Sequence, residues 1–102
     1  MKKRTKNYHE ELIKSLKDPF EATAYLNAAF EEGEAKLFLL ALRNVTEAYG
    51  GIAKLSKKTH LNRESLYKML SKKGNPALDS LNNVLHALGL KIAVMVNDSA
   101  AA

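Results

Sequence analysis

The sequence predicts an all-α protein: a bundle of five to six helices that contains a helix-turn-helix, with one short C-terminal β-strand. Three observations carry that prediction. Apolar residues recur at three- and four-residue spacing through most of the chain, as amphipathic helices require. Gly33, Gly50-Gly51, Gly74-Asn75-Pro76 and Gly89 cut this pattern into short segments. Lys91 to Val96, KIAVMV, differs in kind, being rich in β-branched residues and too short for a helix.

The chain of 102 residues is long enough for one domain with a modest core. Its 46% hydrophobic and 26% charged residues are globular values, which argues against wholesale disorder. Apolar runs stay well short of a membrane span. The basic start KKRTK leads into polar residues rather than the apolar region of a secretory signal. The chain has no cysteine, so neither a disulfide framework nor a thiolate metal site is available, and a cytoplasmic location fits. The expected organisation is a basic arm at 1–7, a single domain at 8–96 and a loose tail at 97–102.

Tyr8, Leu12 and Leu16 fall four apart with Ile13 beside them, which predicts a short helix near residues 8–16. Asp18-Pro19 restarts the chain: Asp is a preferred N-cap, Pro fits the first helical position, and Glu21 stands where a capping-box acid would. The helix that follows puts Ala22, Tyr25, Leu26, Ala29 and Phe30 on one face and ends at Glu31-Glu32-Gly33. From Ala35 to Tyr49, apolar residues from Leu37 to Leu42, with Val45 and Ala48, cover most of the circumference, as expected of a buried central helix. Gly50-Gly51 stops it. Ile52 to Leu70 then reads as two short helices around a tight turn, the helix-turn-helix at 52–71. Beyond the GNP loop, Leu78, Leu81, Val84, Leu85 and Leu88 define a last helix. Gly89 fits its C′ position, and Leu90 can fold back on Leu85.

The strand at 91–96 has no evident partner within the chain. Its unpaired backbone groups call for a second molecule, either a symmetry-related copy or a different protein. Ile92, Ala93, Val94, Met95 and Val96 are therefore the expected dimerisation residues, and an extended tail packed on the bundle is the alternative.

The net charge of +5 is unevenly spread. Residues 1–7 carry Lys2, Lys3, Arg4 and Lys6. Residues 10–34 hold Glu10, Glu11, Asp18, Glu21, Glu31, Glu32 and Glu34 against Lys14 and Lys17, a net of −5. Residues 51–75 hold Lys54, Lys57, Lys58, Arg63, Lys68, Lys72 and Lys73 against Glu64, a net of +6. The acidic N-terminal helices at 8–34 and the basic segment thus present opposite fields to different partners.

Within the basic segment, Leu55 anchors the first helix, Leu61 plugs the turn, and Leu66, Met69 and Leu70 seat the second helix. Asn62 is placed to cap that second helix, leaving Arg63, Glu64, Tyr67, Lys68 and Ser71 facing out. Docked in a major groove, Arg63 can pair with guanine, and Lys68 can reach a base or a phosphate. Lys54, Lys57 and Lys72 suit phosphates, and the hydroxyls of Ser65 and Tyr67 suit either. The residues alone also fit an ordinary solvated αα-hairpin. Enzyme chemistry is not expected. His9, His60 and His86 are scattered, and the sequence has no cysteine nucleophile, HExxH pair or phosphate-binding glycine loop. No metal or cofactor is expected either.

From Leu55 to Met69 the spacing resembles the Xre/Cro-type helix-turn-helix, with Ser56 where that family usually has alanine and His60 where it usually has glycine. The longer pattern, DPFEATAYLNAAFEEGE followed by GGIAKL, LNRESLYKML and GNP, resembles the probable addiction-module antidote family, the HigA-like antitoxins, across roughly residues 8–96. That resemblance implies a lambda-repressor-like helix-turn-helix in a type II antitoxin. Such a protein silences a cognate toxin, commonly a small basic ribonuclease of the RelE/HigB/ParE-like kind, and represses its own operon as a homodimer bound to double-stranded operator DNA. Glu21, Glu31, Glu32 and Glu34 then become the expected toxin contacts, since an acidic face suits a basic protein; a solvated helix face is the plainer reading of the same residues. Two other functions stay open: a free-standing Xre/Cro-type regulator with no toxin partner, and a protein inhibitor whose helix-turn-helix is vestigial.

Overall fold

Glycine and proline fall where the helices end. The computed structural model describes residues 2–98, with side chains from residue 7 onward. Among them lie six helices: α1 (Lys2–Ser15), α2 (Pro19–Glu31), α3 (Ala35–Ala48), α4 (Gly51–Thr59), α5 (Arg63–Met69) and α6 (Leu78–Ala87). The first helix starts at Lys2 rather than near residue 8, so the backbone of the expected arm belongs to α1. Lysine and arginine are good helix formers, and no Gly or Pro interrupts the chain before Pro19. The side chains of Lys2, Lys3, Arg4 and Lys6 lie outside the described residues, as do residues 99–102 of the expected tail.

Asp18 caps α2 as its sequence position requires, its carboxylate accepting from the Phe20 N–H at 2.9 Å. The reciprocal half of a capping box is replaced. The Asp18 N–H donates to the Ser15 carbonyl at 3.2 Å, which leaves the Glu21 carboxylate exposed. Helix α3 packs on α1, α2 and α4, and α4 packs in turn on α5 and α6. The core runs through Leu16, Ala22, Leu26, Leu42, Val45, Leu55, Leu66, Leu70, Val84, Leu85 and Leu88. Burial of such side chains is the main favourable term holding the helices together.

Helix α3 is central, but it is not buried all round. Leu39, Leu42, Val45 and Thr46 face the core, whereas Leu40 keeps 44% of its surface. The buried Thr46 hydroxyl is satisfied by the Leu42 carbonyl at 2.9 Å. Phe30, read as a core residue of α2, is exposed and instead pairs its ring with Phe38, centroids 4.8 Å apart. Leu78 is also exposed, because it opens α6 a full turn before that helix reaches the core.

The end of α6 is the Schellman arrangement that Gly89 and Leu90 predict. The Leu90 N–H reaches the Leu85 carbonyl (2.8 Å) and the Gly89 N–H reaches that of His86 (3.0 Å), with Gly89 at φ +81°. The chain beyond it departs from expectation. Among the described residues there is no strand, and Lys91 to Val96 has no regular structure. A strand needs a ladder partner, and the helical bundle offers none. Ile92, Ala93, Val94, Met95 and Val96 are all exposed, Val94 at 96%.

Candidate functional site

The basic segment forms two helices joined by the three residues His60–Asn62. The turn is fastened from several sides. The Ser56 hydroxyl donates to the Leu61 carbonyl at 2.6 Å. The Thr59 hydroxyl, buried, donates to the Leu55 carbonyl (2.8 Å) and accepts from the Leu61 N–H (3.2 Å). From α6, the Asn83 side-chain amide donates to the Thr59 carbonyl at 3.1 Å. His60 takes the left-handed conformation, φ +64°, alone among the described non-glycine residues, and its N–H closes α4 on the Ser56 carbonyl (2.9 Å). An L-residue in that region is strained, and histidine tolerates it better than a β-branched side chain does.

Asn62 caps α5, its Oδ1 accepting from the Ser65 N–H at 2.7 Å. Leu66 is fully buried, with Leu70 beside it and Met69 half-buried, so the inner face of α5 is fixed. Helical periodicity then decides the outer face. Arg63, Glu64, Ser65, Tyr67 and Lys68 are all exposed, with Glu64 and Lys68 on the side opposite Leu66. Ser71 does not join them. It is half-buried, and its hydroxyl turns back to the Lys68 carbonyl at 2.8 Å.

Lys54, Lys57, Lys58, Lys72 and Lys73 are exposed around this surface. Among the described residues Lys36 pairs with Glu34 and the His9 ring meets Glu47, so no base of the 51–75 segment is neutralised by a carboxylate there. Lys54 and Lys58 border one shallow pocket, and the Lys54 stem lies against Gly50 at the start of α4. The loop after α5 turns tightly at Gly74, where a Cβ would collide with the Met69 carbonyl. Glycine at that position keeps Lys72 and Lys73 close to the end of α5.

The acidic residues divide into two places. Glu21 lies in the first turn of α2, and Glu31, Glu32 and Glu34 lie at the corner between α2 and α3. Ten residues of helix separate Glu21 from Glu31, about 15 Å at the helical rise. All four are exposed, and Glu34 holds Lys36 at 3.7 Å. The histidines stay dispersed: His9 meets Glu47 at 3.4 Å, His60 makes the turn, and His86 is exposed on α6. Among the described residues no group of three His, Asp or Glu side chains is placed to hold a metal ion, and no helix is long and apolar enough to cross a membrane. Neither the Asn83–Thr59 bond nor the exposed side of α3 was readable from the sequence. Asn83 stands 24 residues from its partner, and nothing in its neighbourhood marks the pairing.

The fold and this surface define a small helical protein with a basic, capped helix pair on one side and an acidic corner on another. The chain belongs to the family described as "Probable addiction module antidote protein", whose model matches residues 7–96. It is similar to a Haemophilus influenzae protein named only as uncharacterized, 34% identical over 74 residues that cover 72% of this chain and 75% of that one. No solved structure is a significant match.

Proposed function

We infer that this chain is a HigA-like antitoxin of a type II toxin–antitoxin module, neutralising a cognate toxin by direct binding and repressing its own operon through an Xre/Cro-type helix-turn-helix. Membership of the antidote family supports the first role. The observation that carries the second is α5 itself. Its inner face is pinned by the buried Leu66, and its outer face offers Arg63, Tyr67 and Lys68 to solvent without a carboxylate partner among the described residues. A helix so held suits the major groove, with Arg63 on a guanine edge. Glu64, Ser65 and Lys68 lie within reach of the same bases and phosphates, and Lys54, Lys57 and Lys72 set the register on the backbone.

The toxin is a small basic ribonuclease of the RelE/HigB/ParE-like kind, and the acidic residues Glu21, Glu31, Glu32 and Glu34 face it. The repressor is a homodimer, with the exposed apolar side chains of Ile92–Val96 covered by the second copy, and it acts in the cytoplasm. This role is binding, with no catalytic step.

Co-expression with the product of the adjacent gene tests this reading. Growth is expected to be restored and the two proteins to co-purify. If the chain neither rescues growth nor retains that protein, the antitoxin role fails and a free-standing regulator takes its place.

A further inference from the structure

On the outer side of α3, Leu40 is exposed among the charged residues Lys36, Arg43 and Glu47. Beside Leu40, toward α2, lie Leu37 and the buried Ala41, and across from them stand Tyr25, Ala28 and Ala29 of α2, so the two helices enclose a shallow open groove. Each helix contributes residues at i, i+3 and i+4; Ala28 and Leu40 are exposed at the rim, Tyr25, Ala29 and Leu37 are half-buried, and Ala41 is buried beneath them. The floor is held in place, since the Tyr25 hydroxyl accepts from the Asn44 amide at 2.9 Å. Ala28 and Ala29 are small, so a partner backbone can approach closely, while Leu37 and Leu40 supply apolar contact. Glu32 lies at the end of the groove, with Glu31 exposed beside it, and neither carboxylate has an ion-pair partner among the described residues.

We propose that this groove seats a basic amphipathic segment of the toxin, with its apolar residues along Leu37 and Leu40 and its lysines or arginines on Glu31 and Glu32. The proposal rests on the toxin-binding reading above. Charge selects the occupant. Phosphate is repelled by the acids, and an apolar groove with carboxylates at one end calls for a segment that carries both apolar and cationic side chains. A preformed apolar groove with a charged end is the helix-in-groove mode of peptide recognition.

The test uses the full chain co-expressed with the product of the adjacent gene. Ala28→Arg fills the groove from an exposed position and is expected to leave the thermal melt unchanged; Leu40→Arg does the same from α3. Each is expected to weaken the complex at least about tenfold, the effect of losing a central contact, while binding of promoter DNA stays within about twofold. Retention of the toxin by both folded variants overturns the proposal. So does a change of oligomeric mass with toxin binding intact, which would give the groove to a second copy. If the wild-type chain itself does not hold the neighbouring protein, the antitoxin reading has failed before the groove is tested.

Discussion

The Ser56 hydroxyl donates to the Leu61 carbonyl across 2.6 Å, joining the body of α4 to the far side of the turn that precedes α5. The residue lies one turn before His60, the strained position of the turn, and its bond helps hold α5 at a fixed angle to α4. An alanine at this position cannot make that bond. Removing the hydroxyl with Ser56→Ala is expected to cost about 0.5–1.5 kcal/mol, the net worth of one hydrogen bond, read by urea unfolding. An unchanged midpoint would mean that Thr59 and Asn83 hold the turn alone.

His60 offers a test of opposite sign. At φ +64°, glycine relieves the clash that a Cβ meets in the left-handed region, and a β-branched residue worsens it. His60→Gly is expected to raise the melting temperature and His60→Val to lower it. The reverse order would mean that the turn leaves the left-handed conformation in solution.

Leu66 fixes the inner face of α5. Leu66→Ala empties a fully buried site and is expected to destabilise the fold by about 2–5 kcal/mol, measured by chemical denaturation. A loss well under 1 kcal/mol would place α5 outside the cooperative core.

The exposed tail can be tested as an association surface. Val94→Asp together with Met95→Asp places charge on two of the most exposed apolar side chains, away from the bundle. Light scattering is expected to fall from the mass of two chains to that of one, with the thermal melt of the bundle preserved. A dimer that survives both changes would move the contact to a helix.

Much of this molecule was legible in the sequence because its determinants are local. Asp18-Pro19, Asn62 and Gly89-Leu90 each act within a few residues, and each appears in the structure as its cap or stop predicts. His60 likewise stood out by its place in the turn. What could not be read depends on how helices meet. The circumference of α3 is apolar both toward the core and along the groove, so composition could not tell a buried leucine from Leu40. The β-branched run at 91–96 has strand propensity, but propensity without a pairing partner yields no strand within one chain. Glu21 and the group Glu31, Glu32 and Glu34, which belong to one acidic stretch of the sequence, are parted by most of the length of α2.

Arg63 is the residue on which the DNA-reading claim turns, and fluorescence anisotropy on two duplexes tests it most directly. Wild type and Arg63→Ala are titrated onto the promoter preceding this gene and onto a scrambled duplex, over a range of salt. The wild-type chain is expected to favour the promoter, with affinity falling steeply in salt at a log–log slope of about −0.9 per phosphate neutralised. Arg63→Ala should lose about 1–3 kcal/mol on the promoter and little on the scrambled duplex, whereas Lys57→Ala weakens both alike. Equal affinity of the wild-type chain for the two duplexes, or a flat salt response, would contradict the assignment of α5 as a reader of DNA.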